Sequence, residues 1–268
     1  IYKKDILISY VSWHENGKVM KELEYRDGQP TFLTEYHEDG TKKQEGPFKD
    51  GKEHGRWRAW YRNGKLEKET PMIKGVPHGL VIFWSESGNK TAEANYTHGN
   101  YHGLQKTFSK RGSVICMENY SKGRLDYPKT IRLMEQLIEG HQKLHGSNDY
   151  DLMQSFFFFA DILRTSGEPS RALVYINKII TMYSSDEKLT ESRYFLLVNA
   201  YDKRARLLDV LGDWDKALVS SKKALSLRLK RLGPEGESMA TSYSNISYYY
   251  RKAFQYDKAI EFTEKAQA

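Results

Sequence analysis

The sequence predicts an α+β protein of segregated domains. An antiparallel array of β-hairpin repeats occupies residues 1–126, and an all-α solenoid with a leading helix occupies residues 127–268. Three observations predict this division. Glycines recur every 23 or 24 residues through the first half. That rhythm stops near residues 122–128, where the apolar period changes from about 2 to about 3.6. Beyond that point a short helix-to-helix corner is repeated.

In the first half, three glycine series run in parallel. They are Gly17, Gly40, Gly64, Gly88 and Gly112; Gly28, Gly51, Gly75, Gly99 and Gly123; and Gly55, Gly79 and Gly103. Self-similarity at a fixed period marks a stacked array. Asp27-Gly28, Asp39-Gly40, Asp50-Gly51 and Asn63-Gly64 are hairpin-turn signals, because Gly supplies the positive φ that such turns need. Short strand-like segments lie between the turns, at residues 56–61, 80–84 and 104–108. One hairpin is too small to bury its own apolar face, so aromatics of neighbouring hairpins must stack into a continuous core. Trp13, Tyr36, Trp60, Tyr61, Trp84 and Phe108 are the predicted core. Tyr25, Phe48, Tyr96 and Tyr120 hold a second aromatic position, where the third repeat has Met72-Ile73.

Two polar columns accompany the glycines. Glu22, Glu45, Glu69 and Glu93 recur in step, and Lys or Arg on the next rung is expected to offset their repulsion. His54, His78 and His102 each precede a glycine of the third series. Equivalent positions of successive hairpins lie about 10 Å apart. A zinc ligand sits about 2.0–2.1 Å from the metal, so neighbours in this column cannot share an ion. An imidazole hydrogen bond at the turn, repeated in each rung, is the expected role.

The pattern resembles MORN repeats, in the bacterial variant with the Tyr-x-Asn-Gly-x-Leu-x-x-Glu signature of antitoxin-like proteins. Tyr61-Arg62-Asn63-Gly64-Lys65-Leu66-Glu67-Lys68-Glu69 matches it, and the stretch from Trp13 to Glu22 comes close. Lys52-Glu53-His54-Gly55 and Val76-Pro77-His78-Gly79 match the Gly-x-x-His-Gly element. The resemblance covers roughly residues 10–125. It departs at both ends: Gln29-Pro30-Thr31-Phe32 lacks His-Gly, and Met117 replaces the column glutamate. The resemblance implies a rigid spacer or docking face, with a membrane or lipid surface as an alternative target.

In the second half, Ile131, Met134, Leu137, Ile138 and Leu144 lie on one helical stripe. A helix is predicted from Pro128 to about His145, with the proline in its first turn. Three helix pairs follow, over residues 149–166 and 169–183, 189–211 and 213–232, and 237–253 and 256–266. The corner Gly212-Asp213-Trp214-Asp215-Lys216-Ala217-Leu218 aligns with Phe254-Gln255-Tyr256-Asp257-Lys258-Ala259-Ile260. It aligns more loosely with Gly167-Glu168-Pro169-Ser170-Arg171-Ala172-Leu173. Ala172, Ala217 and Ala259 let the second helix of each pair approach the first.

These corners are similar to tetratricopeptide repeats over about residues 148–268. Residues 224–236 and the Ala240-Thr241-Ser242-Tyr243-Ser244-Asn245-Ile246 run resemble the longer kinesin-light-chain type. The resemblance implies a groove lined by the first helix of each pair. In that register Asn199, Asp202 and Arg206, with Thr241, Asn245 and Tyr248, face a protein or peptide partner. The basic pattern of chaperone-tail-binding repeats is not reproduced, so that ligand is not expected.

Composition narrows the function. With 39% hydrophobic and 29% charged residues the chain has enough apolar content to fold. Its +7 formal charge is spread over both halves, which reads as solubility ahead of a nucleic-acid or lipid patch. No apolar run approaches a membrane span. Cys116 is single and reads as a buried structural thiol. The phosphate loop, the nucleophile elbow and the His-Glu-x-x-His motif are all missing. His141 and His145 form an i, i+4 pair without a third ligand and read as a solvated face. No catalytic site, cofactor or metal is therefore expected.

The chain starts at Ile1 without a signal peptide, which favours the cytoplasm and leaves a removed leader open. It stops in mid-helix at Ala268, so a longer protein is expected. The function read from the sequence is a non-enzymatic protein-interaction scaffold. The alternatives are the regulatory amino-terminal part of a larger enzyme, such as a caspase-like protease, and a lipid-surface repeat protein. Partner identity and oligomeric state are left open.

Overall fold

The computed structural model describes residues 2–3, 6–146, 148–186, 188–233 and 237–267. It divides into two units, Ile1–Leu133 and Met134–Ala268. Pro234, Glu235 and Gly236 of the long-repeat reading, and Ala268 at the expected break, lie outside the described residues.

A hairpin of β1 (Tyr2–Lys3) and β2 (Ile6–Leu7) comes first in the amino-terminal unit. The rest is one sheet of 13 described strands. They are β3 (Ser9–Trp13), β4 (Val19–Arg26), β5 (Gln29–Tyr36), β6 (Lys42–Lys49), β7 (Lys52–Glu53), β8 (Gly55–Trp60), β9 (Leu66–Ile73), β10 (Val76–Pro77), β11 (Gly79–Trp84), β12 (Lys90–Thr97), β13 (Asn100–Phe108), β14 (Val114–Ser121) and β15 (Arg124–Leu125). Neighbours follow chain order and are antiparallel, with the short β7 and β10 pairing only β6 and β9.

Two turn chemistries alternate. At Asp27-Gly28 both φ values are positive, 50° and 75°, the geometry of a type I′ hairpin. The same pair of angles recurs at Asp50, Lys74, His98 and Lys122 with their glycines. At Asn63-Gly64 only the glycine is left-handed, with φ 77°. There Gly64 N–H donates to Tyr61 O at 2.9 Å and Tyr61 N–H to Lys65 O at 2.9 Å.

The core of the array is not the predicted one. Trp13 is 59% exposed, and Tyr36, Trp60, Tyr61, Trp84 and Phe108 are half-buried. Strand register shifts at Trp13, Tyr36, Trp60, Trp84 and Phe108, so each of these aromatics sits at a β-bulge. The extra residue lies on the facing strand, at Met20, Lys43, Glu67, Thr91 and Ile115, so the aromatic's own strand keeps its in-and-out alternation. The buried column lies earlier in each strand, at Leu33, Trp57, Val81 and Gln105. Their cross-strand partners are Gly46, Thr70, Ala94 and Glu118. Size is matched locally. A Cβ on Gly46 would lie 2.2 Å from the Trp57 ring. At the last rung the pair is polar: Gln105 closes onto the backbone of Asn95, and burial pushes the Glu118 carboxyl up. Cys116 is buried, as expected.

The glutamate column carries the expected ladder. Arg58 reaches Glu69 at 3.0 Å and Glu45 at 4.0 Å, and Lys106 reaches Glu93 at 3.7 Å. These pairs are partly exposed and contribute little individually.

The carboxy-terminal helices are α1 (Tyr127–His145), α2 (Tyr150–Thr165), α3 (Pro169–Tyr183), α4 (Glu191–Val210), α5 (Trp214–Leu232), α6 (Glu237–Lys252) and α7 (Tyr256–Gln267). Their starts follow from capping chemistry. Asp149 accepts from Asp151 N–H at 2.6 Å, Pro169 occupies the first turn of α3, and Asp213 accepts from Lys216 N–H at 3.3 Å. Ala172, Ala217 and Ala259 are buried where paired helices meet. The α1 stripe needs correction: Leu144 is 77% exposed, while His141 is buried and not on a solvated face. Met134, Ile138 and His141 stand at i, i+4 and i+7, so the imidazole completes the buried stripe.

Candidate docking faces

Rung-to-rung fastening in the array comes from turn residues. The imidazole Nε2 of His14 lies 3.0 Å from Tyr36 O, and that of His37 lies 3.3 Å from Trp60 O. The hydroxyl of Tyr61 donates to Trp84 O at 2.7 Å. Asn16 and Asn63 donate to Glu38 O and Glu86 O at 2.7 and 2.9 Å. Lys18 and Lys65 donate to Asp39 O and Ser87 O at 2.6 and 2.7 Å. The repeated turn bond is therefore carried by the 14, 37, 61 series, and of His54, His78 and His102 only His78 makes one among the described residues. In the latter series the side-chain bond found is His98 N–H donating to His78 Nδ1 at 3.5 Å.

The six predicted groove residues lie on α4 and α6, the first helices of the second and third pairs. Asn199, Arg206 and Thr241 are exposed, and Asp202, Asn245 and Tyr248 are half-buried. Asp202 is ion-paired with Arg228 of α5, whose Nη1 also donates to Ser242 of α6 at 2.9 Å. Tyr248 OH donates to Asp209 of α4 at 3.2 Å. The structure thus brings Asp202 and Tyr248 into a network joining α4, α5 and α6. Arg228 and Asp209, which complete it, were not among the predicted residues.

A second tie joins α2 to α4. The buried ammonium of Lys203 pairs with Asp161, donates to Phe157 O at 3.1 Å and lies 3.3 Å from the Phe157 ring centre. Burial pushes its pKa down to about 8, against the opposing pull of Asp161. Among the described residues no group of three His, Cys, Asp or Glu side chains is placed to hold a metal ion. No described helix is long and apolar enough to cross a membrane.

Comparison with known proteins agrees with the two-part organisation. The family of the MORN repeat variant matches residues 9–27, 33–50 and 53–74, and that of the tetratricopeptide repeat matches residues 196–268. Among solved structures, the nearly identical TPR-like repeats described as a kinesin light chain of Podospora anserina share 17% identity. The match covers 53% of this chain and 65% of that one, with a TM-score of 0.45. BtubC (BKLC) of P. vanneervenii shares 18% identity over 53% of this chain and 56% of its own, with a TM-score of 0.43. A Rap protein in complex with competence and sporulation factor shares 17% over 53% and 37%, with a TM-score of 0.43. This chain spans less than two thirds of the length of each. No curated protein matches it.

Proposed function

We propose that this chain, in which MORN-variant repeats precede tetratricopeptide repeats, is a non-enzymatic protein-interaction scaffold. The helical part, from residue 127, takes an extended protein or peptide segment along the first helices of its pairs. Asn199, Asp202, Arg206, Thr241, Asn245 and Tyr248 are the contact row. The β array, up to residue 126, serves as a stiff spacer or a second docking face.

The observation that supports this reading is the prior ordering of the row. Asp202 is held by Arg228, and Tyr248 is held by Asp209. Side chains fixed before binding lose little rotamer freedom on contact, which favours affinity.

Crosslinking capture from the source organism tests it, comparing the intact chain with a Asn199→Ala, Arg206→Glu, Asn245→Ala variant. The partner retained by the intact chain is expected to fall at least about tenfold in the variant. Undiminished capture by the variant would remove the groove. Absence of any retained protein would remove the scaffold reading.

A further inference from the structure

A trough on α4 and α5 has no part in the contact row proposed above. Its main cavity holds about 570 Å³ and is lined by the end of α3, the loop after it, α4 and α5. An adjoining cavity of about 430 Å³ shares Tyr201, Lys223 and Ser226 with it. None of Asn199, Asp202, Arg206, Thr241, Asn245 or Tyr248 lines either cavity.

The lining is unbalanced in charge. Arg204, Lys223, Lys230 and Arg231 contribute cations, and Asp186 is the one carboxylate among the described lining residues. Among the described residues Lys223, Lys230 and Arg231 enter no ion pair. The buried Nε of Arg204 meets no acceptor among them either. The wall is held in place: Tyr194 OH donates to Leu227 O, and the Arg231 guanidinium lies 4.6 Å from the Tyr194 ring centre.

We infer that this trough binds an acidic peptide segment in extended form. Charge complementarity selects the sign, because clustered unpaired cations attract and orient carboxylates. Length selects the class. From Val219 to Arg231 the trough runs about 18 Å at the helical rise. That suits about five extended residues and exceeds the span of a single phosphate. The aromatic lining argues against nucleic acid. Tyr183 and Tyr201 are 2% and 7% exposed, and Arg231 covers a face of the half-buried Tyr194, which leaves little ring surface for a base to stack on.

Fluorescence anisotropy with the full chain tests this, using a labelled five-residue Asp/Glu peptide and its Asn/Gln counterpart. Only the acidic peptide is expected to bind, more weakly as salt rises. K223E/K230E lowers its affinity at least about tenfold, while Arg206→Glu on the contact row leaves it within about twofold. If K223E/K230E loses its helical circular dichroism, K223Q/K230Q replaces it, with an expected loss of about threefold. Equal binding of both peptides, or unchanged affinity in the charge variants, overturns the inference. So does full displacement by millimolar inorganic phosphate, or tighter binding of a single-stranded oligouridylate of equal length. Loss in Arg206→Glu alone also overturns it, moving the acidic segment to the contact row and leaving the scaffold reading intact.

Discussion

The indole of Trp57 occupies the space that a side chain on Gly46 would fill, with a built Cβ only 2.2 Å from the ring. Gly46 is here for its missing side chain and not for a left-handed backbone, because its φ is not positive. Trp57 is further fixed by its Nε1–H donating to Pro47 O at 3.1 Å and by the Phe48 ring 5.5 Å away, edge to face.

Gly46→Ala is therefore expected to displace the indole and destabilise the array by about 1–3 kcal/mol, the usual cost of overpacking. Urea unfolding measures the loss. Gly64→Ala makes a contrasting control: it meets nothing within 4 Å, but its φ of 77° strains any side chain. Only the Gly46 variant should alter near-ultraviolet circular dichroism in the folded protein.

Lys203 should make stability rise in alkaline solution. Its folded pKa of about 8 lies below the ordinary value of 10.5. Below about pH 8 the ammonium is charged in both states and its desolvation cost is fully present. Between the two values the unfolded chain binds more protons, so stability climbs with pH, by on the order of 1–3 kcal/mol. Lys203→Met should flatten that rise, seen as a smaller difference between urea midpoints at pH 7.5 and 9.5. An identical rise in the variant would show that other groups cause it.

Phe254 holds φ 59° at the corner where Gly167 and Gly212 stand in the other two pairs, and its ring is 73% exposed. A left-handed conformation strains a residue with a Cβ, and this ring recovers little by burial. Phe254→Gly should raise stability by about 0.5–1 kcal/mol, net of the larger entropy of glycine in the unfolded chain. Thermal unfolding followed at 222 nm reads it, and a drop in midpoint would count against strain at this corner.

The organisation of both halves was legible because its signals are chemically specific. Glycine at fixed spacing and the Asp-Lys-Ala corner each answer one steric need, and the helix ends fell within a few residues of expectation. The array core was not legible, because Leu33, Trp57, Val81 and Gln105 share a place but no chemistry. The aromatics at the bulges are more uniform and drew attention to the wrong column. The turn ladder hid for the same reason: His14, His37 and Tyr61 meet equivalent carbonyls with different groups. On the helical side the sequence places the six polar residues on the first helices of two pairs, but it does not reveal what anchors Asp202 and Tyr248. Arg228 stands 26 positions from Asp202, and Tyr248 stands 39 from Asp209, distances that no periodicity links.

That uneven core column also guards against threading errors. Interchangeable modules could slide past one another by a whole repeat and still satisfy every backbone bond. Here Leu meets Gly, Trp meets Thr, Val meets Ala and Gln meets Glu. A chain displaced by one module would set the indole against a neighbour that leaves it no room, or leave a hollow where it belonged. Unequal volumes thus act as a key for each tooth of the stack, and only one alignment lets all of them close.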